Sequence, residues 1–194
     1  MKVLIACEYS GIVRTAFEKR GHNAWSCDIL PTEIPGNHIQ DDVLKHLDKE
    51  WDLMIAHPPC THLAVSGARH FKKKQREQKK ALNFVKNLLG ANIKKIALEN
   101  PVSVISSKIR KPDQIIQPYQ FGHDAKKTTC LWLKNLPKLY PTNEIEITPD
   151  IVLSSGKKMS FFYYQTGLLP LRQRWKARSE FWSGIAEAMA EQWS

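Results

Sequence analysis

The chain has 194 residues, 42% hydrophobic and 25% charged, which suits one globular domain with a sizeable core over residues 1–194. No apolar run approaches the ~20 residues that cross a bilayer, so no membrane partner is expected. The formal net charge of +10 favours a polyanionic partner such as nucleic acid; a merely solubilising surface is the alternative.

Residues 2–7 read as a buried strand, because Cys7-Glu8 ends the apolar run too early for a secretion leader. Residues 11–20 read as a helix with Val13, Ala16 and Phe17 on one face and Gly21 as its stop. A second strand covers 24–27 and ends at Asp28, a Pro/Gly loop covers 31–38, and 43–47 make one or two helical turns. A third strand at 53–56 ends in His57-Pro58-Pro59. The stretch 71–80 carries six Lys or Arg residues and reads as a basic loop leading into a helix at 81–89, where Leu82, Val85, Leu88 and Leu89 have helical spacing. A fourth strand at 95–98 is ended by Glu99-Asn100-Pro101. Residues 115–121, interrupted by Pro118, and 130–133 are further strand candidates. Residues 141–178 read as irregular structure or a small subdomain. A last helix spans 179–193, with Phe181, Ile185, Ala188, Met189 and Trp193 near one face.

Strands alternating with helices predict an α/β domain with a mainly parallel sheet, whose ligands bind beyond the carboxyl ends of the strands. Those ends carry Glu8-Tyr9-Ser10-Gly11, Asp28, His57 to Cys60, and Glu99-Asn100, so four polar clusters converge on one side.

Each cluster suggests chemistry. Two prolines lock the backbone before Cys60, which fixes a thiol at the mouth of the sheet as a nucleophile or as a packed turn residue. A carboxylate at a strand end, such as Glu99, can donate a proton near neutral pH where burial favours its protonated form; a turn or capping role is the alternative. A strand, a tight glycine turn, a helix and a second-strand acid, here residues 8–11 and Asp28, form a nucleoside pocket in which the acid binds ribose hydroxyls. His57, Cys60 and His62 could ligate a metal, but no second Cys/His cluster completes a site, so none is expected. Cys7, Cys27, Cys60 and Cys130 form no Cys-x-x-Cys pair and read as reduced thiols of a cytoplasmic protein.

The order Tyr9-Ser10-Gly11, Asp28, Pro58-Pro59-Cys60, Glu99-Asn100 and a final helix resembles the DNA cytosine-5 methyltransferases. Residues 58–67 look like the Pro-Cys motif and its following mobile loop, and Ala97-Leu98-Glu99-Asn100-Pro101 looks like the Glu-Asn-Val motif. The resemblance covers roughly 1–140 and 179–194. It implies a Rossmann-like class I methyltransferase fold with helices on both faces of the sheet. It also implies S-adenosylmethionine as cofactor, DNA as partner, and catalysis by Cys60 on carbon 6 of cytosine with Glu99 at nitrogen 3 while carbon 5 is methylated. The cofactor pocket implied takes in Cys7, Glu8, Tyr9, Ser10, Gly11, Asp28, Ile29, Asp42 and Pro58. The substrate side takes in Thr61, Ser66, Asn100 and Lys126. Short members of this family are often carried by phages.

The chain departs from the family's pattern. The first glycine-rich turn is shortened to Ser10-Gly11-Ile12-Val13-Arg14, Thr61 follows the catalytic cysteine, and Pro101 follows Asn100. Ala125-Lys126-Lys127-Thr128-Thr129 stands where Gln-x-Arg-x-Arg is usual; Lys127 replaces the first cation and Thr129 cannot replace the second. Only 141–178 is left for a sequence-reading domain, fewer than the ~50 residues of a small independent one. Lys157, Lys158, Arg172, Arg174 and Lys176, with the aromatics of 161–164, could hold phosphates and stack on bases, or form a surface loop over a small aromatic core. Weak sequence specificity, or a protein partner that supplies it, follows. The competing readings are the same chemistry on a free cytosine nucleotide or with a modified donor, and a non-catalytic DNA-binding relative.

Overall fold

The computed structural model describes residues 1–194, with every side chain except that of Trp175. Strands β1 (Lys2–Ala6) and β4 (Leu53–Ala56), and β5 (Lys95–Pro101) over its Ile96-Ala97-Leu98 stretch, are apolar because helices cover both faces of the sheet. They run parallel, with Val3 beside Leu53 and Leu53 beside Lys95. β2 (Asn23–Asp28) and β3 (His38–Gln40) extend one edge. On the other, β7 (Thr129–Lys134) runs antiparallel to β5, and β6 (Gln114–Ile116) antiparallel to β7. The order is β3-β2-β1-β4-β5-β7-β6, so the chain's winding reverses between β1 and β4.

The period-2 alternation of strands sorts the core. Val3, Ile5, Leu53, Ile55 and Ala97 join one buried cluster with Val13 and Phe17 of α1 (Ile12–Glu18) and Ile185, Ala188 and Met189 of α6 (Ser183–Gln192). Leu4, Ala6, Met54, Ala56, Ile96 and Leu98 join the other, with Val85 and Leu88 of α2 (Gln75–Leu89) and Ile105 of α3 (Ile105–Lys108). The expected α/β architecture with a mainly parallel sheet is what the chain adopts. No helix is long and apolar enough to cross a membrane among the described residues.

Several local expectations need correction. The loop expected over 31–38 gives way at His38 to the short edge strand β3. The basic stretch is not a loop: Val65–Lys73 forms 3-10 turns and α2 begins at Gln75, because Lys, Arg, Gln and Glu are good helix formers that need no apolar stripe. β5 does not stop at Leu98. It continues through Glu99 and Asn100 to Pro101, whose ladder partner is Thr129 of the antiparallel β7. Pro118 ends one element and starts another: β6 stops at Ile116, and 118–120 make a 3-10 turn. The segment 141–178 is not irregular throughout. After a hairpin, β8 (Ile151–Val152) and β9 (Lys158–Met159), it forms α4 (Phe161–Gly167) and α5 (Leu171–Ser179). The last helix starts at Ser183 rather than 179.

Candidate active site

The carboxyl ends of β1, β4 and β5 border a small solvent-open crevice. Cys7, Glu8, Tyr9, Ser10, His57 and Glu99 line its sheet side, and Glu33, Lys176, Ser179, Glu180 and Phe181 line it elsewhere. It stands where the winding of the sheet reverses, the usual place for a ligand in such folds.

The turn after β1 is built from within. The Glu8 carboxylate is buried and accepts hydrogen bonds from the backbone N–H of Val13 (2.7 Å) and Arg14 (3.2 Å) and from the Ser10 hydroxyl (3.2 Å). It thus satisfies the free amide groups that open α1. Burial raises the Glu8 pKa, while His57 and these hydrogen bonds oppose the rise. Gly11 has φ +77, and a Cβ there would press on the Arg14 guanidinium at 2.8 Å. Arg14 is fully buried and donates to Ser26 Oγ (3.0 Å) and to the carbonyls of Ile34 (2.6 Å) and Pro35 (3.1 Å), pinning the loop before β3 beneath the turn.

Cys7 itself sits at φ +60, uncommon for a residue with a side chain. Burial first, then Asp28 and Asp42, hold its thiol well above the ordinary range. Asp28 Oδ1 accepts the Leu30 N–H at 2.9 Å, Asp42 caps the turn at 43–46, and Ile29 is largely exposed. Pro58 is buried beyond β4, and Asp28, Ile29, Asp42 and Pro58 are not among the residues lining the crevice.

The cysteine turn is anchored at both ends. The buried Asn100 amide donates to the Pro58 carbonyl at 2.8 Å, which ties the end of β5 to the double proline. The Cys60 carbonyl accepts from the N–H of Leu63 (2.9 Å) and Ala64 (2.8 Å), and the Leu63 side chain is buried. Between these anchors Cys60 is exposed, as are Thr61 and Ser66 on the loop that follows. Asn100 thus has an internal role that the sequence did not indicate; its Oδ1 is buried without a partner among the described residues.

Cys60, Glu99 and Lys127 feel one another electrostatically. Partial enclosure of the Cys60 sulfur and the Glu99 charge push its thiol pKa up, and Lys127 pulls it down. Burial lowers the Lys127 pKa, against the opposing pull of Glu99 and Cys60. Lys127 Nζ donates to the Arg178 carbonyl at 2.7 Å and lies 5.9 Å from the centre of the Trp182 ring. Lys126 instead faces outward and pairs with Asp150 at 3.6 Å. All four cysteines are free thiols, and Cys60 alone among them is exposed. No group of three or more His, Cys, Asp or Glu side chains among the described residues is placed to hold a metal ion.

Three residues stand in or beside the site in ways the sequence did not indicate. His57 lies beside Glu99, their ring and carboxylate 3.3 Å apart; the parallel register of β4 with β5 puts it there. Phe181 stacks on His57 with ring centres 4.5 Å apart. Tyr163 of α4 has its pKa raised by burial and lowered by Arg178, whose guanidinium lies 5.2 Å from the centre of its ring. Only the first had a legible signal, the strand-end position of His57.

No protein-family model matches the chain, and no curated protein is significantly similar to it in sequence. A solved Escherichia coli structure, described as a candidate DNA modification methyltransferase encoded within a prophage, matches at 17% identity with a TM-score of 0.46, over 77% of this chain. The match takes in 52% of that protein, so this chain spans about half its length.

Proposed function

We propose that the protein transfers a methyl group from S-adenosylmethionine to carbon 5 of cytosine in DNA, with Cys60 as nucleophile, on a Rossmann-like class I methyltransferase fold. The observation that carries this reading is the hydrogen bond from the Asn100 amide to the Pro58 carbonyl at 2.8 Å, which ties the turn bearing the exposed Cys60 to the strand bearing Glu99, a residue that lines the crevice at the sheet's reversal point.

The lining of the crevice offers hydrogen-bond partners for the donor. It combines a turn of backbone at 8–11 with Asp28 and Asp42 close by for hydroxyl groups, and a buried His57 Nε2 that has no partner among the described residues. When bound, S-adenosylmethionine supplies an electrophilic methyl group. Cys60 as thiolate forms a bond to carbon 6 of the ring, a role suited to a group that both adds and leaves readily. Glu99 donates its proton to nitrogen 3, so the electron pair displaced by sulfur reaches carbon 5. Lys127 keeps positive charge beside the thiolate. Carbon 5 would take the methyl group as the donor's sulfur–methyl bond breaks with its electron pair left on sulfur; carbon 5 then loses its proton to a base, the pair from that C–H bond re-forms the ring double bond as the C–S bond breaks and Cys60 departs, and nitrogen 3 returns its proton to Glu99. In a duplex the target base must first swing out of the stack.

A free cytosine nucleotide is the second reading, favoured by the small size of the 141–178 segment. Supplying methyl-labelled S-adenosylmethionine with duplex DNA, RNA or deoxycytidine monophosphate separates the two. Label on DNA cytosine supports the first; label on the mononucleotide alone moves the assignment to the second; label on none of the three overturns both.

A further inference from the structure

His57 emerges from β4 at the reversal point of the sheet, its backbone N–H still donating to the Ala6 carbonyl at 2.9 Å. Its side chain is only 12% exposed. Nδ1 lies 3.3 Å from Glu99 Oε2, and Phe181 covers the ring. Nε2 is buried with no protein partner among the described residues, although His57 lines the crevice. A buried ring nitrogen left unpaired is unfavourable, and its natural partner is a hydrogen-bond donor entering that crevice.

We infer that His57 is a positioning residue joining the two halves of the site: Nδ1 fixes one oxygen of Glu99 while Nε2 receives a hydrogen bond from the crevice occupant. The inference rests on the role given to Glu99 above. The roles of the two nitrogens are linked. With the proton on Nδ1 and donated to the carboxylate, Nε2 is necessarily an acceptor. It therefore suits an occupant that presents an N–H donor, such as the ammonium of the amino-acid part of S-adenosylmethionine. Held at Oε2, Glu99 is left with Oε1 to turn toward the base. Filling the crevice braces the imidazole, and the imidazole braces the acid, so donor binding readies Glu99 before the nucleotide arrives.

Two variants separate this role from mere packing. His57→Asn keeps a nitrogen donor near the Nδ1 position but does not reach that of Nε2; His57→Ala removes both. The first readout is the 13C resonance of the Glu99 carboxyl in glutamate-labelled protein, assigned by its loss in Glu99→Gln. It should move in His57→Ala and stay near its wild-type position in His57→Asn. The second is methyl transfer to DNA, where His57→Ala should lower kcat roughly 100-fold, the scale of an ångström of misplacement, and His57→Asn should recover most of it. Both should raise KM for the donor and weaken its binding by calorimetry. A Glu99 resonance indifferent to His57→Ala, or His57→Asn falling as far as His57→Ala in kcat, overturns the proposal. Wild-type protein that methylates no acceptor instead rejects the function proposed above, and the Glu99 resonance then decides the His57 contact by itself.

Discussion

Two basic stretches of this chain look alike in sequence and differ in what their charges do. In the strap after Cys60, Lys72, Lys73, Lys74, Arg76, Lys79 and Lys80 are all exposed, and among the described residues none has a carboxylate partner. In α5 two of the cations, Arg174 and Arg178, are drawn into the fold, while Arg172 and Lys176 stay exposed. Arg174 donates to the carbonyls of Gly167 (2.7 Å) and Leu169 (3.0 Å), and Arg178 to the Thr166 hydroxyl (2.9 Å) and the Tyr163 carbonyl (3.1 Å). Lys176 reaches across to Glu33 at 2.7 Å. A count of basic residues does not reveal which are free to meet a polyanion. Cations that can reach the unpaired carbonyls at a helix end are drawn into the fold. Arg76, Lys79 and Lys80 lie on α2, whose other face, here Val85 and Leu88, is buried, and they stay outward. Under the proposed function, the strap rather than α5 holds most of the DNA backbone.

The contrast can be broken experimentally. Replacing the six strap cations by glutamine is expected to flatten the dependence of log affinity for DNA on log salt by roughly 0.9 for each phosphate that is no longer neutralised. Anisotropy titrations across a salt series measure this, and an unchanged slope would place the DNA elsewhere. Arg178→Ala should leave that slope alone but cost about 1–2 kcal/mol of stability, since it unties α4 from α5. Calorimetric unfolding reads the loss, and an intact Tm with a flattened slope would invert the comparison. Thiol reactivity sharpens the picture at the boundary of the two regions. Glu99→Gln removes a charge that raises the Cys60 pKa and should speed alkylation by iodoacetamide at neutral pH, whereas Lys127→Gln should slow it, each by on the order of threefold. Wild-type alkylation should accelerate as pH rises, with the midpoint above that of an ordinary thiol because the shift is upward. The smallest effect belongs to Lys176→Gln, which breaks a half-exposed pair with Glu33 and should change stability by less than ~1 kcal/mol.

The parallel core was readable because each of its strands is a short apolar run closed by polar or proline residues, and those closures mark the crevice. Glu8 to Ser10, His57 and Glu99, which line it, stand at the strand ends that pattern picked out. What lay hidden follows from longer-range physics. β3 is three residues long, too short for alternation to show, and depends on Arg14 holding the loop before it. The passage of β5 through Glu99 to Pro101 depends on β7, whose antiparallel direction no local signal carries. α4 and α5 lack an apolar stripe strong enough to stand out, and they pack through aromatic faces and arginine-to-carbonyl bonds. Phe181 read as part of the last helix, yet it precedes Ser183 and covers His57 instead.

The claim on which the rest turns is that the Cys60 sulfur becomes covalently bound to the base. DNA carrying 5-fluorocytosine offers the direct test, because fluorine at carbon 5 cannot leave as a proton does and the C–S bond persists. With S-adenosylmethionine present, the wild-type protein should give a denaturation-resistant DNA adduct whose peptide map ends at Cys60, and Cys60→Ser should give none. An adduct that survives in Cys60→Ser, or one that maps to another residue, contradicts the account.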